Sequence, residues 1–295
     1  MGGRESRRAG RRGLTVRSAD AGQTFSEPAN VTGTAEQHDT DPDLAAEGPL
    51  VAVAYAIEID PVNEDVMVQR SGDGGQTWGG PVNVSHDGQP SAEPAVAVSG
   101  GTVHVAFENK GSEDETDDRL AYARSADGGA TFGDAAVLSE GAEGQPALAV
   151  NGAVVHLFGC SGSDPAHSEL HLYRSEDGGA TFAAPAAVTD TPGECDGPTV
   201  AAHGDLVVVA WEEAAPGAGS DVHVLSSRDG GRTFTGPVNV SQSPGDSEEP
   251  FIAVDSVTGG LHLVWSEEPP EPDEGQAQPA AEQAWLERRT SVNAR

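Results

Sequence analysis

Ser71-Gly72-Asp73-Gly74-Gly75-Gln76-Thr77-Trp78 is one of five copies of a phrase, Ser-x-Asp-x-Gly-x-Thr followed by an aromatic residue. The others are built on Ser18, Asp20, Gly22, Thr24 and Phe25; on Ser125, Asp127, Gly129, Thr131 and Phe132; on Ser175, Asp177, Gly179, Thr181 and Phe182; and on Ser227, Asp229, Gly231, Thr233 and Phe234. Their serines stand 53, 54, 50 and 52 residues apart. Recurrence at a fixed period of that size marks a solenoid, an array or a propeller. The phrase itself reads as a turn, because short Ser and Asp side chains accept hydrogen bonds from nearby backbone N–H groups, Gly tolerates positive φ and Thr begins the next strand. Asp20, Asp73, Asp127, Asp177 and Asp229 are therefore expected to hold hairpins together rather than to perform chemistry.

Working outward, the same order of segments surrounds each copy. A turn such as Glu93-Pro94 opens a strand at Ala95 to Val98, and a Gly turn leads to a second strand ending in an aromatic, Val103 to Phe107. An acidic loop follows, then a third strand, Leu120 to Arg124, that enters the Ser-x-Asp-x-Gly-x-Thr turn. A fourth strand leaves through segments such as Pro81 to Ser85 and Pro237 to Ser241. Four short antiparallel strands in ~50 residues is the pattern of a propeller blade. Alternating apolar runs at Thr102 to Phe107, Leu170 to Tyr173 and Asp221 to Leu225 agree, and no useful helical periodicity is present, so the fold class is all-β, a β-propeller of four-stranded antiparallel blades.

The phrase resembles the Asp box, or BNR repeat, of the sialidase-like β-propeller superfamily, over residues 14 to about 265. The resemblance implies the fold and leaves activity open, since such boxes also occur in non-catalytic propellers and in other enzymes. Five opening strands and five hairpins are visible. The first hairpin, Leu14 to Thr32, lacks an inner pair, and the last inner pair, Phe251 to Trp265, lacks a certain outer pair. Joining them would close a five-bladed ring. The alternative is an incomplete six-bladed wheel like that of sialidases, with residues 282–290 resembling a third strand.

Basic groups are confined to the ends. Residues 1–17 carry six arginines and residues 288–295 three more, whereas residues 18–287 hold 7 basic and 47 acidic groups, a balance of 7 − 47 = −40. Such a body repels nucleic acid and anionic membrane, and no stretch is apolar enough for a membrane span. Residues 1–13 are Arg- and Gly-rich without the apolar core of a secretory leader. They are expected to be a disordered terminus, followed by the propeller over 14–266 and an acidic, Pro-rich segment and tail over 267–295. Because they run into a strand in mid-repeat, the true N-terminus is expected upstream.

Ligand sites in propellers are expected where the loops of the inner strands converge, opposite the repeated turns. Asp41, Glu93, Gln145, Asp196 and Glu249 enter the inner strands, one per blade. Tyr55, Phe107, Phe158, Trp211 and Trp265 end the second strands, with Glu58, Glu108, Glu212 and Glu267 just beyond. The regular aromatics suit packing between blades. The functional reading is a carboxylate-lined mouth with Trp211 or Trp265 at its rim, suited to cations or neutral sugars. Its ligand-binding candidates are Asp41, Glu93, Asp196, Glu249, Glu108, Glu212, Tyr55, Trp211 and Trp265.

The resemblance implies, for a sialidase, three arginines on the sialic acid carboxylate, a Tyr paired with a Glu, and an Asp acid/base. Here Arg17, Arg70, Arg124 and Arg174 precede the turn serines and Arg228 and Arg232 lie within the fifth copy; only Arg119 is placed toward the loop face, and the Arg-Ile-Pro signature is absent. No catalytic residue is assigned. Another glycosidase would need only two carboxylates about 5 to 10 Å apart, with Glu108 or Glu212 beside Asp196 or Glu93 as the candidates. Asp39 to Asp43 and Glu113 to Asp118 offer oxygen ligands for Ca²⁺ without an EF-hand's Gly and distal Glu; no cofactor is otherwise indicated. His104 and His262 share one repeat position, as do His171 and His223, which suggests strand faces rather than a metal cluster. Cys160 and Cys195, the only cysteines, fall on the loop face at one blade junction and suit a disulfide, hence a secreted, periplasmic or cell-surface setting. The function expected is a non-catalytic binding module for a glycan or a surface protein, with an exo-sialidase-like glycoside hydrolase as the alternative.

Overall fold

The computed structural model describes residues 12–33, 38–60, 63–86, 88–110, 118–139, 143–164, 167–191, 193–215, 219–255, 258–268 and 290–292. All regular structure among them is β. A leading hairpin pairs β1 (Leu14–Thr15) with β2 (Ala29–Asn30). The first sheet is the meander β3 (Asp39–Glu47), β4 (Leu50–Asp60), β5 (Asn63–Ser71), β6 (Val82–Asn83). The second repeats it with β7 (Ser91–Ser99), β8 (Thr102–Asn109), β9 (Arg119–Ser125), β10 (Ala136–Val137). The third holds β11 (Glu143–Asn151), β12 (Val154–Asp164), β13 (His167–Ser175), β14 (Ala186–Ala187). The fourth holds β15 (Glu194–His203), β16 (Leu206–Ala214), β17 (Ser220–Ser227), β18 (Thr235–Asn239). The last has three strands, β19 (Asp246–Val254), β20 (Leu261–Glu268) and β21 (Thr290–Val292).

Two expectations change here. The strand beside β20 is β21, and the leading hairpin forms a sheet of its own, so the closure expected from Leu14 to Thr32 against Phe251 to Trp265 is not the pairing observed. Of the stretch 282–290 suspected as a third strand only Thr290 is described, as the first residue of β21; 269–289 falls outside the described residues.

The chain divides into two compact units, one carrying the leading hairpin and the first two sheets, the other the third to fifth sheets, with the boundary inside β9. β16 is apolar on both faces over Leu206 to Trp211, as a strand covered on both sides must be. In β16, Val207, Val209 and Trp211 join the cluster of Phe158, Leu170 and Leu172 in the third sheet. The intervening Val208 and Ala210 join Ile252, Leu263 and Trp265 in the fifth. Alternation along one strand thus sends successive side chains to opposite neighbours. The first unit does the same, packing Ala52, Ala54 and Val68 against Val103, Val105 and Phe107.

The repeated turns form as expected, at one end of the leading hairpin and of the first four sheets. In all five, the Ser Oγ donates to the Asp Oδ1 at 2.6 to 2.8 Å. The same Oγ accepts the Gly N–H at 2.8 to 2.9 Å. Each Asp then accepts the Thr N–H at 2.8 to 2.9 Å and the Thr hydroxyl at 2.6 to 2.7 Å. These donors hold every one of the five carboxyls below its ordinary value, Asp20 and Asp177 at about 2. One glycine is required twice over. Gly129 has φ of 81°, and a Cβ on it would stand 3.3 Å from Arg70 Cδ. The arginine ahead of one turn therefore lies across the glycine of the next, and Arg174 does the same at Gly231 while its Nε donates to Gly230 O at 2.9 Å.

Candidate functional site

In each of the five sheets that follow the leading hairpin, the first strand is broken by a β-bulge near its start. The ladder shifts between Thr40 and Asp43, Ala92 and Ala95, Gly144 and Ala147, Asp196 and Thr199, and Glu248 and Phe251. Each bulge centres on a residue in the left-handed region that precedes a proline: Asp41 (φ 50°), Glu93 (51°), Gln145 (33°), Gly197 (53°) and Glu249 (52°). Positions 41, 93, 145, 197 and 249 are each 52 residues apart. A left-handed non-glycine residue costs of order 1–3 kcal/mol and persists only where its surroundings over-determine it. A bulge re-aims side chains and gathers at functional rims. Sequence reasoning placed Asp196 in this series, but the equivalent residue is Gly197, one position on. The X-Pro spacing was the available signal.

In the second unit, the bulges of β11, β15 and β19 border an open cleft of about 670 Å³. Gln145, Asp196, Gly197, Glu212, Glu249 and Phe251 line it, with Glu248 beside them. Glu212 reaches it because it shares the face of Val208 and Ala210, and its Oε1 accepts the Glu249 N–H. Burial, followed by Asp196, Glu248 and Glu249, pushes the Glu212 carboxyl up even against that donor. Glu248 is pushed up as well, by burial and then by Glu268, Asp246, Glu249 and Asp196. Among the described residues no Lys, Arg or His lines the cleft.

The structure thus brings Asp196, Glu212 and Glu249 together in the second unit, while Asp41, Glu93, Glu108 and Tyr55 belong to the first. Asp41 and Glu93 occupy the bulges of the first unit, where Asp43 Oδ2 accepts the Val96 N–H at 2.7 Å. Glu108 is buried, its Oε2 3.9 Å from Lys110 Nζ. Trp211 and Trp265, expected at the rim, and Tyr55, a binding candidate, are in the core at 0%, 4% and 1% exposure, which favours packing between sheets. Burial, then Asp39, pushes the Tyr55 phenol up, the reverse of what a nucleophile needs. Trp211 Nε1 donates to the buried Glu213 at 2.8 Å, on the face opposite the cleft. The aromatic among the cleft's described lining residues is Phe251, 65% exposed, which is not among the candidates named from the sequence. Phe158 falls out of register with the other aromatics, since it pairs with the first residue after the bulge, Ala147, where the other sheets place Ala54, Ala106, Ala210 and Val264.

Arg119 is exposed at the start of β9, and Arg174 and Arg232 share Glu176 at the turn end, at 2.7 and 2.9 Å. Among the described residues no three of His, Cys, Asp and Glu are placed to hold a metal ion. The acidic loop 113–117 lies outside the described residues, and Asp39, in the other acidic run, accepts the Thr32 hydroxyl at 2.5 Å. His104 sits on a strand face within the core, where burial lowers it to about 4, and His156 repeats it 52 residues later. Cys160 and Cys195 form a disulfide that joins the third sheet to the fourth, one residue from Asp196. No described helix is long and apolar enough to cross a membrane.

The fold is shared with known structures. The Hadza microbial sialidase Hz136 superposes with a TM-score of 0.59 at 17% identity, over 85% of this chain and 56% of its own. A protein of unknown function from Dyadobacter fermentans gives 0.59 at 17% identity, over 78% and 75%. The Trypanosoma rangeli sialidase in complex with the inhibitor DANA gives 0.57 at 12% identity, over 88% and 48%. The chain spans about half the length of these two sialidases. At such identities the likeness establishes a β-propeller fold and nothing of activity. No curated protein matches the chain significantly. The model of the BNR repeat-like domain matches residues 1–206, a stretch that holds the first four of the five repeated turns, and the chain belongs to this sialidase-like family.

Proposed function

We propose that this chain is a non-catalytic binding module that takes a glycan lacking sialic acid in the cleft of the second unit. One observation carries the reading: Asp196, Glu212, Glu248 and Glu249 line the cleft, and among the described residues no cationic side chain does. A sialic acid brings its own carboxylate and needs guanidinium partners to repay the desolvation. Four carboxylates instead accept hydrogen bonds from donor-rich ligands such as sugar hydroxyls. The Cys160–Cys195 disulfide supports action outside the cytosol, at a surface or in secreted form.

A hydrolase reading draws on Glu212, a half-buried carboxyl pushed up beside Asp196, which is the environment of a general acid next to an ionised partner. Glycan-array binding run together with hydrolysis of sialyl and neutral aryl glycosides separates the two. The binding-module reading expects glycan capture without turnover. Turnover of a neutral glycoside that disappears in Glu212→Gln overturns it.

A further inference from the structure

The first and last sheets in chain order are each incomplete, in opposite ways. The leading hairpin supplies the third and fourth strands of the repeat with their turn, but among the described residues no strand pairs with the outer edge of β1, where β4, β8, β12 and β16 run in the other sheets. Val16 shows the consequence. Its counterparts in the other four copies, Gln69, Ala123, Tyr173 and Leu225, are 6%, 2%, 2% and 2% exposed, whereas Val16 is 50% and Leu14, on the same face, 63% exposed. The fifth sheet has the first two strands and little beyond them. Every residue of β16 from Val207 to Ala214 pairs with β17, but β20 pairs with β21 only over Leu261 to Leu263. Among the described residues no strand covers its edge from Val264 to Glu268. Glu267 Oε2 is buried there without a hydrogen-bond partner, while its Oε1 accepts the Ser243 hydroxyl at 2.6 Å.

We propose that the leading hairpin of one copy completes the fifth sheet of a second copy of this chain, its β1 lying antiparallel along β20 in place of β21. Within one copy the hairpin is a sheet of its own and β20 holds β21, so each part-sheet finds its complement in a neighbouring copy. The repeat sets the register. In the fourth sheet Val207 pairs with Ser227 and Trp211 with His223, and the corresponding pairs are Leu261 with Ser18 and Trp265 with Leu14. Val16 then stands opposite Leu263, and Arg12 opposite Glu267. Two exposed apolar side chains gain apolar neighbours, and the unpaired carboxylate oxygen gains a guanidinium. The charges are complementary beyond that pair: residues 1–17 carry six arginines, and residues 246–268 carry six carboxylates and no Lys or Arg. The hairpin also brings β2, the fourth strand that the fifth sheet lacks. An open edge of this kind is a template for another chain. Because a hairpin meets a β20, two copies can close reciprocally or further copies can add in series.

The test is sedimentation of the full chain from about 1 to about 200 µM at about 0.15 M salt, which screens the net charge of −32 that opposes association. Wild type should pass from monomer to a larger species within that range. Val16→Asp and Arg12→Glu, both at exposed positions, should each weaken association at least about five-fold and leave the melting temperature of the dilute monomer unchanged. Glu267→Arg should weaken it as much from the other side, and Arg12→Glu combined with Glu267→Arg should recover most of the loss. Glu267→Gln keeps an acceptor for the Ser243 hydroxyl, so it tests the charge alone, with an expected loss of about three-fold. A monomer at every concentration overturns the proposal. Association that Val16→Asp abolishes and both Glu267 variants leave intact overturns it too, because hairpin is then meeting hairpin. Association insensitive to all these changes places the contact elsewhere and sinks it equally.

Discussion

At one end of the first four sheets the Ser-x-Asp-x-Gly-x-Thr turn repeats its backbone and its side chains together; at the other end the X-Pro bulge repeats its backbone and changes its side chain. The physical difference is where the hydrogen bonds come from. At the turn, Ser, Asp and Thr side chains supply the bonds that shape the backbone, so replacing one undoes the conformation. At the bulge, the flanking ladder and the proline set the backbone, and Asp, Glu, Gln and Gly all fit. The turn end is therefore suited to holding the sheets, and the bulge end to carrying a variable surface.

The largest effect expected from breaking this contrast is at the bulge end, where one covalent brace has been added. Cys160 and Cys195 are 35 residues apart, and removing their bond by the paired change to Ser should cost about 3–4 kcal/mol by the chain-entropy account. Urea unfolding of the variant against wild type reads it directly. A midpoint that does not move would mean that the cleft wall needs no such brace.

A smaller loss is expected at a turn. Asp73→Ala removes the acceptor for the Ser71 hydroxyl and for the N–H groups of Gln76 and Thr77, and should lower the melting temperature by a few degrees, with binding in the cleft unchanged. Asp41→Asn, at the bulge of the same sheet, should leave the melting temperature where it was. Equal losses from the two changes would erase the proposed division between the ends.

The same division explains what could be read from the amino acids. The turns were legible because their chemistry is local: donor and acceptor lie within four residues, so Ser71 and Asp73 announce themselves. The disulfide was legible from the placement of two cysteines at one junction. The cleft was half legible. Asp196, Glu212 and Glu249 stand among the candidates because the first and last open inner strands and Glu212 follows the aromatic that ends a second strand. Gly197 and Phe251 were missed because their meaning depends on a bulge that shifts the register by one residue, and a one-residue shift reverses which side chain faces water. Reading the series by acidic character picked Asp196; reading it by the prolines at 42, 94, 146, 198 and 250 gives Gly197. Trp211 and Trp265 looked like rim aromatics only because a strand's end was taken for its surface.

The smallest effect separates the two ends by sign, in acid. At the turns, the Thr24 hydroxyl foremost for Asp20 and the Thr181 N–H foremost for Asp177 hold these carboxyls at about 2, against an ordinary 3.8. A carboxylate lowered on folding contributes stability that is present above its unfolded value and is lost as pH falls through the folded one, here between about pH 4 and about pH 2. In the cleft, Glu212 and Glu248 are raised above 4.5, by burial first and by neighbouring carboxylates after it. The folded state then takes up protons more readily than the unfolded chain, so acidification through the range above 4.5 adds stability there. The melting temperature should hold or rise as pH falls from about 7 to about 4.5 and then collapse toward about pH 2. Glu212→Gln keeps an oxygen for the Glu249 N–H but cannot titrate, so it should flatten the first limb and leave the second. Asp177→Asn should do the reverse. A Glu212→Gln profile parallel to wild type over the first limb would mean that the cleft's carboxylates do not repel one another in the folded protein, and would remove the electrostatic ground on which the two ends are told apart.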